Sequence, residues 1–225
     1  FRVGLEQGVI ASANYTAFYL EDVSDLSQQI EALRSERDRL NAAPPTEAGL
    51  IGQSPAMMKI KSDLLTYAGS DLSVLIEGGT GTGKEVLAGQ IHEASARKKY
   101  PLVKLDCAAL PAGLIENELF GHVRGAFTGA LKDYRGRIAQ AHKGTLFLDE
   151  IENLPLEIQA KLLSVLQDGK IHPVGASSAT EVDFRLITAS NRPLTDLIGA
   201  GRFRTDLYYR LNQIQITLPP LSQRV

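Results

Sequence analysis

The most constraining feature of this sequence is a glycine-rich stretch, residues 78–85, that reads Gly-Gly-Thr-Gly-Thr-Gly-Lys-Glu. A short apolar run precedes it at residues 72–77, and residues 86–95, with apolar side chains at helical spacing, follow it. Strand, glycine loop and helix in this order are the context that a phosphate-binding loop requires. The glycines let the backbone curl so that N–H groups point inward, and the helix N-terminus adds its positive dipole end. We therefore predict a nucleotide phosphate site, with Lys84 as the mobile cation for the β- and γ-phosphates.

Eight consecutive loop residues are the predicted nucleotide-binding residues. They are Gly78, Gly79, Thr80, Gly81, Thr82, Gly83, Lys84 and Glu85. One position departs from the general pattern, because the residue after the lysine usually carries a hydroxyl that holds Mg²⁺ and is Glu85 here. Either carboxylates elsewhere hold the metal, or the chain belongs to a subfamily that holds Mg²⁺ in its own way.

Size and composition set further limits. A chain of 225 residues with 44% apolar residues supports one large domain, or one domain with appendages. Its formal net charge of −2 predicts no global basic field for nucleic acid. Cys107 is the single cysteine, which excludes a disulfide within the chain and a cysteine-based metal site, and fits the cytoplasm. The apolar runs are too short to span a bilayer, so we expect no membrane association.

The N-terminal part of the chain differs from the rest. Residues 1–22 have no helical period and favour one or two strands, which we interpret as the tail of an upstream sensory domain, similar to the end of a PAS-type domain. Residues 23–43 carry apolar side chains three and four positions apart for about two and a half heptads, typical of a coiled-coil-like linker helix. That helix would either dimerise the protein or pack on its own domain. Since Phe1 is not an initiator methionine, we expect a fragment of a longer protein.

From residue 50 onward, short β-rich runs alternate with helical stretches. The predicted strands are residues 73–77, 102–106, 145–148, 185–189 and 214–218. The predicted helices are residues 56–67, 84–96, 156–167 and 207–211. This alternation predicts an α/β fold with a parallel sheet and helices on both faces.

Polar side chains follow two of these strands. Asp149 and Glu150 end the apolar strand at residues 145–148, at the edge where an open α/β sheet binds ligands. Asp149 would orient Mg²⁺ or its waters, and Glu150 would polarise the attacking water as general base. The alternative is a strand that ends in a solvated acidic turn. Asn191 follows another strand, where it could sense the γ-phosphate, orient the water or simply form a turn.

Two arginines, Arg204 and Arg210, lie near the start of a predicted helix. We expect them to be candidates for fingers that insert into the nucleotide site of a neighbouring subunit and neutralise transition-state charge. Without a family context, surface arginines on an amphipathic helix would be the default interpretation.

A loop between these motifs places one aromatic residue between glycines, which suits a mobile contact with a partner better than a rigid core. Its residues are Gly125, Ala126, Phe127, Thr128, Gly129 and Ala130. The run Gly-Ala-Phe-Thr-Gly-Ala is the signature of sigma-54-dependent transcriptional activators, the bacterial enhancer-binding proteins, and the chain resembles that family over residues 50–224. Six motifs in order carry the resemblance: Gly-Thr-Gly-Lys-Glu, Glu-Leu-Phe-Gly-His, Gly-Ala-Phe-Thr-Gly-Ala, Gly-Thr-Leu-Phe-Leu-Asp-Glu-Ile, Phe-Arg-x-Asp-Leu-Tyr-Tyr-Arg-Leu and Leu-Pro-Pro-Leu.

The resemblance implies that residues 47–225 are an AAA+ ATPase domain that binds ATP and Mg²⁺ and assembles as a ring, usually a hexamer. The nucleotide site would then include Val86, Ile51 and Gly52, and the arginine fingers would act in trans. Hydrolysis would move the Gly-Ala-Phe-Thr-Gly-Ala loop, which engages the sigma-54 RNA polymerase holoenzyme and opens its promoter complex. Residues 169–181 match a second pore loop that supports the first.

The sequence also departs from the family. Asp106 stands where the family usually has an asparagine that hydrogen-bonds the catalytic glutamate, so we expect altered switching or a raised pKa for Asp106 or Glu150. From the resemblance we expect a helical lid that is truncated in this sequence, and DNA contact only through a DNA-binding domain outside it. Two other interpretations stay open: an AAA+ protein with another remodelling task, and a nucleotide-gated oligomerisation module without hydrolysis.

Overall fold

The computed structural model describes residues 52–224. The predictions for residues 1–22, for the linker helix at residues 23–43 and for Ile51 lie outside the described residues. No helix among residues 52–224 is long and apolar enough to cross a bilayer.

Helices and strands alternate along the described chain. The helices are α1 (Pro55–Ala68), α2 (Lys84–Glu93), α3 (Ala112–Phe120), α4 (Arg137–Gln140), α5 (Leu156–Asp168), α6 (Leu194–Gly199) and α7 (Thr205–Leu211). The strands are β1 (Val74–Glu77), β2 (Leu102–Asp106), β3 (Gly121–His122), β4 (Tyr134–Arg135), β5 (Thr145–Asp149), β6 (Lys170–Ile171), β7 (Thr180–Glu181), β8 (Arg185–Ser190) and β9 (Ile214–Thr217). Short 3-10 turns cover Ile151–Asn153 and Leu221–Gln223.

Five strands form one sheet in the order β2-β5-β8-β1-β9, and every neighbouring pair is parallel. The predicted α/β class and parallel sheet are therefore confirmed. The remaining strands form two small antiparallel hairpins, β3 with β4 and β6 with β7. Because all five main strands run the same way, their carboxyl ends meet at one edge of the sheet, where ligands bind in folds of this kind.

Side chains alternate between the two faces of the sheet, and each face has its own apolar core. On β1, Leu75 belongs to one core, while Val74 and Ile76 belong to the other. The first core contains buried residues of α3 to α7, and the second is closed by α1 and α2. Helices thus cover both faces, as the alternation in the sequence predicts.

Helix α5 shows how local sequence sets an element. It begins after Pro155, whose fixed φ suits a helix start, and ends at Gly169, which has a left-handed φ of 65°. Its inward face carries Ile158, Leu162 and Val165, which are buried in the first core. Burying each of these side chains stabilises the fold by about 2 kcal/mol relative to leaving it exposed.

A buried arginine ties α1 to the sheet. Arg185, the first residue of β8, is almost fully buried, and its guanidinium donates to the carbonyl oxygens of Tyr67 and Ala68. These carbonyls end α1, where the helix dipole is negative, so the positive charge is stabilised there. The sequence pattern predicts only that Arg185 begins a strand and does not predict its bonds to the end of α1.

The boundaries of the long elements agree with the predictions within a few residues. Helices α3, α4 and α6 and both hairpins were not predicted. Their segments have at most nine residues each, too short for a periodic signal, and they fold because neighbouring elements cover them.

Candidate nucleotide site

The sheet order brings the predicted site residues together. The glycine loop follows β1, Asp149 ends β5 with Glu150 directly after it, and Asn191 follows β8. Since β8 lies between β5 and β1, Asn191 is placed between the loop and the two carboxylates. No sequence pattern predicts that these residues are neighbours, because 35 residues of other structure separate β5 from β8 in the chain.

Lys84 begins α2 and is 6% exposed. Its Nζ donates to the carbonyl oxygens of Gly78 at 2.8 Å and Gly79 at 3.1 Å, and to Oδ1 of Asn191 at 2.6 Å. These bonds use the three N–H donors of the ammonium group. Gly83, immediately before the lysine, has a left-handed φ of 81°, a backbone conformation that is strained in a residue with a side chain. The loop backbone thus directs this cation inward, toward the edge of the sheet.

Glu150 is held on both sides by amides. Its Oε1 accepts from Nδ2 of Asn191 at 2.8 Å, and its Oε2 accepts from Nδ2 of Asn153 at 2.9 Å. Its own backbone is left-handed, with a φ of 51°, which is uncommon for a residue with a side chain. Strain of this kind persists only where surrounding contacts over-determine it and often marks functional positions.

Asp149 lies in an unfavourable environment for its charge. Burial raises the pKa of the Asp149 carboxyl, and the backbone N–H of Glu150 and the charge of Lys84 oppose this rise. The negative charges of Asp106 and Glu150 raise the pKa further. Oδ1 of Asp149 accepts that backbone N–H at 2.9 Å. A cation beside this carboxylate would stabilise its charged form and so lower its pKa.

The residues present fit Mg²⁺ in the way that ATP-hydrolysing sites hold it. The described residues contain no cluster of three or more His, Cys, Asp and Glu side chains that could hold a metal alone. Magnesium in such sites needs only one or two carboxylates, with phosphate oxygens and water completing its shell. Asp149 is the carboxylate that would hold it.

Asp106 ends β2, directly opposite the end of β5. The pairing of β2 with β5 places it opposite Asp149, and its Oδ1 accepts the backbone N–H of Ala108 at 2.8 Å. A carboxylate has no N–H to donate, so Asp106 cannot hold Glu150 as an amide would. Asn191 and Asn153 make those bonds instead.

Two residues of this site were missed in the sequence. Glu152 is 5% exposed, and its Oε1 accepts the backbone N–H of Asn191 at 2.9 Å, which joins the turn after β5 to the end of β8. Asn153 holds Glu150, as described above. The signal that could have revealed them is the polar run Asp-Glu-Ile-Glu-Asn directly after a buried strand.

Other predicted loop residues have clear structural partners. The carboxylate of Glu85 is mostly exposed and pairs with Lys104 at 2.9 Å. The hydroxyl of Thr82 donates to the carbonyl of Gly79 at 2.7 Å, which stabilises the turn of the loop. Thr80 and Val86 are exposed.

Gly52 and the phosphate loop are linked through Arg224, which the sequence did not indicate. The backbone carbonyl of Arg224 accepts the N–H of Gln53 at 2.9 Å, and its guanidinium donates to the carbonyl of Thr82. Gly52 has a φ of 136°, and a Cβ there would meet Arg224 at 3.0 Å. Arg224 therefore connects the phosphate loop at Thr82 with the chain at Gly52 and Gln53.

The two candidate finger arginines lie at the two ends of one helix. Arg204 immediately precedes α7 and pairs with Asp206 at 2.8 Å. Arg210, in the last turn, donates to the carbonyl of Leu166 on α5 at 2.7 Å. Both residues are exposed, which leaves them accessible to another molecule.

The Gly-Ala-Phe-Thr-Gly-Ala loop projects between β3 and β4. Its backbone closes through the N–H of Gly125, which donates to the carbonyl of Ala130 at 2.8 Å. Phe127 is 48% exposed, and its ring centroid lies 4.9 Å from that of His122. Thr128 is also exposed. The loop therefore presents an aromatic side chain to solvent.

The second loop, residues 169–181, is attached to the first. The N–H of Val174 donates to the carbonyl of Gly121 at 2.9 Å, and its carbonyl accepts from Val123 at 3.1 Å. Gly175 packs so closely that a Cβ there would lie 2.8 Å from the Cβ of Ala126. Backbone bonds and close packing thus couple the two loops.

A parallel sheet with a lysine-bearing glycine loop after one strand and carboxylates at the end of the next strand but one defines a P-loop NTPase domain. The family model of the Sigma-54 interaction domain matches residues 50–217. The chain therefore belongs to the sigma-54 activator family, whose central domain is an AAA+ ATPase domain.

Two of the curated relatives are anaerobic nitric oxide reductase transcription regulators. The chain is 51% identical over 199 residues to the anaerobic nitric oxide reductase transcription regulator NorR of Shigella sonnei, covering 87% of this chain and 40% of that protein. It is 53% identical over 181 residues to NorR of Salmonella paratyphi C, covering 80% of this chain and 36% of that protein. The chain thus spans well under half the length of these relatives.

Solved structures with the same fold include NtrX from Brucella abortus in complex with ADP, with a TM-score of 0.74 and 31% identity over 90% of this chain and 45% of that chain. The P-loop NTPase domain of a sigma-54 activator from E. coli has a TM-score of 0.52 and 25% identity, covering 76% of this chain and 99% of that chain.

Proposed function

We propose that this domain hydrolyses ATP and uses the energy to move the Gly-Ala-Phe-Thr-Gly-Ala loop against sigma-54 RNA polymerase, as part of a transcriptional activator. The observation that carries the proposal is the hydrogen-bonded chain from Lys84 through Asn191 to Glu150. It connects the group expected to bind phosphate with the group expected to act on water. The membership of the family and the ATP and ADP complexes of the related NtrX support nucleotide binding.

In this proposal each residue has one task. The backbone of residues 78–83 cradles the phosphates, and Lys84 turns from its present oxygen partners to the β- and γ-phosphate oxygens. Glu150 accepts a proton from water as that water attacks the γ-phosphate. Mg²⁺ held at Asp149 would neutralise the developing charge on the phosphate oxygens.

Arg204 and Arg210 are proposed to complete the site of a neighbouring subunit in a ring. Both are exposed and lie around α7, so they are available to a second copy of the chain. An arginine finger provides charge stabilisation that the site of a single chain lacks. Each active site would then lie between two subunits.

Loop movement is proposed to follow from the nucleotide state. Asp149 ends β5, and Glu150 follows it directly. On the side away from β8, β5 pairs with β2, and β2 is followed along the chain by α3 and then by β3 at the base of the loop. A change at the strand ends could therefore pass along α3 to Phe127. The exposed ring would supply apolar contact area for the sigma factor.

A capture experiment tests this function. The chain is trapped with ATP by Glu150→Gln, which removes the proposed base and preserves shape, and is mixed with immobilised sigma-54. We expect retention only with ATP, and none after Phe127→Ala in the same background. Hydrolysis is measured separately as phosphate release by the chain with its native Glu150. Equal retention with and without nucleotide, or equal retention of the Phe127→Ala variant, would refute the proposal.

A second candidate function is a nucleotide-gated oligomerisation module without hydrolysis. The position of Asp106 favours it, because this carboxylate lies opposite Asp149 and cannot donate to Glu150. Single-turnover measurements on preassembled oligomers separate the two functions, since only the ATPase converts bound ATP to ADP.

A further inference from the structure

Asn153 contacts one of the two carboxylate oxygens of Glu150. It ends the 3-10 turn Ile151–Asn153, which follows Glu150 directly. Its Nδ2 donates to Oε2 of Glu150 at 2.9 Å, while Asn191 donates to Oε1 at 2.8 Å. Each carboxylate oxygen of Glu150 therefore accepts an amide N–H from a different side chain.

The two amides are not equivalent. Oδ1 of Asn191 also accepts from Lys84, so Asn191 responds when the lysine turns to a phosphate. Asn153 reaches Glu150 from the same turn of the chain and is not bonded to Lys84. When Lys84 leaves Asn191, the contact of Asn191 with Glu150 is free to change, and the contact of Asn153 stays.

Glu150 needs such a fixed contact. Its carboxylate is carried by a flexible side chain on a left-handed residue, and without a partner it would sample several rotamers. A general base must lie within hydrogen-bond reach of the water that it deprotonates, and a displacement of 1 Å can cost about 100-fold in rate. Asp106, on the neighbouring strand, has no N–H to offer.

We infer that Asn153 is a positioning residue that aims the Glu150 carboxylate at the attacking water. The inference rests on the proposed ATPase function. Asn153 is exposed, so replacing it removes the amide without opening the core.

The kinetic test compares the purified chain with Asn153→Ala and Asn153→Asp. Asn153→Asp keeps the shape, removes the donor and places a second negative charge beside Glu150. We expect kcat for ATP to fall about tenfold or more in both variants, while the Kd for a fluorescent ATP analogue changes less than twofold. Glu157→Gln is the matched control, since Glu157 is an exposed polar residue in the first turn of α5, just beyond Asn153, and it should keep the kcat of the unaltered chain.

A second measurement needs no hydrolysis. In protein labelled with nitrogen-15 asparagine, Glu150→Gln should shift the Asn153 side-chain amide resonances, because they lose a charged acceptor. The inference is overturned if those resonances do not move, or if the Asn153 variants keep or raise kcat while Glu150→Gln abolishes turnover. If the unaltered chain and Glu150→Gln hydrolyse ATP equally, the proposed function fails, and the resonances alone decide whether Asn153 holds Glu150.

Discussion

Lys84 and Glu150 are joined through a single intervening side chain, although 65 positions of the sequence separate them. Asn191 accepts from the lysine with its oxygen, at 2.6 Å, and donates to the glutamate with its nitrogen, at 2.8 Å. The Asn191 amide carries a strong acceptor and a strong donor on one rigid plane. A movement of Lys84 can therefore change the position of the Asn191 amide and, through it, the position of the Glu150 carboxylate.

Replacing Asn191 should uncouple binding from hydrolysis. Asn191→Asp keeps an acceptor for Lys84 but puts a carboxylate against that of Glu150, where like charges repel. We expect the rate of phosphate release to fall about 100-fold, the low end of the contribution of general base catalysis, while the affinity for ATP changes little. A variant that loses ATP affinity and hydrolysis in parallel would show that Asn191 serves binding only.

Mixing two inactive variants tests whether the site is shared. Arg204→Ala removes the proposed finger, and Lys84→Ala removes the phosphate-binding lysine. We expect each variant alone to lose ATPase activity by about 1000-fold, in the range known for arginine fingers. Mixed oligomers should recover part of the activity, because some interfaces combine an intact Lys84 with an intact Arg204. If the mixture is no more active than its components, Arg204 does not act in trans.

Asp106→Asn should shift the pH dependence of hydrolysis. Burial raises the pKa of Asp149, and the negative charge of Asp106 raises it further. Removing that charge lowers the pKa of Asp149, so this carboxylate stays ionised at lower pH. We expect the acid limb of the ATPase profile to move to lower pH, as measured by phosphate release between pH 5 and 8. An unchanged rate and an unchanged profile would mean that Asp106 has no influence on the site.

Gly175→Ala should separate the Gly-Ala-Phe-Thr-Gly-Ala loop from the second loop, residues 169–181. The new Cβ would lie 2.8 Å from the Cβ of Ala126, and the backbone φ of 77° disfavours any side chain. We expect weaker capture of sigma-54 in the trapped ATP state, with ATP hydrolysis within about twofold of that of the unaltered chain, since the nucleotide site is not touched. Gly201→Ala is the control for backbone strain alone, because Gly201 has a φ of 67° and no atom within 4 Å of the added Cβ. Equal capture by both variants would mean that the contact between the loops is unimportant.

His92 should make the fold less stable in acid. Its side chain is 2% exposed, its Nδ1 lies 2.9 Å from the Thr145 hydroxyl, and burial lowers its pKa. In the unfolded chain a histidine titrates near pH 6.5. As the pH falls below that value, the unfolded chain therefore takes up a proton that the folded chain does not, and the free energy of unfolding falls.

His92→Gln removes this titration. Between pH 7 and pH 5, we expect the unfolding midpoint in urea to decrease less for this variant than for the unaltered chain. Parallel decreases would show that His92 stays neutral or becomes charged equally in both states.

Elements that carry a strong local signal can be predicted from the amino-acid sequence. The glycine loop with Lys84, the apolar strand ending in Asp149 and the long helix α5 are visible because glycine conformation, strand burial and helical period depend on neighbouring residues. The family motifs added the roles expected of Phe127 and Arg204.

Which of these elements contact one another depends on the tertiary structure. The placement of β8 between β5 and β1 inserts Asn191 between Lys84 and Glu150, and the pairing of β2 with β5 sets Asp106 opposite Asp149. Glu152 and Asn153 are ordinary polar residues in the sequence, and their partners depend on a left-handed turn at Glu150. Strand order and side-chain hydrogen bonds are long-range properties, because each is the outcome of packing the whole sheet between its helices, and no local pattern encodes them.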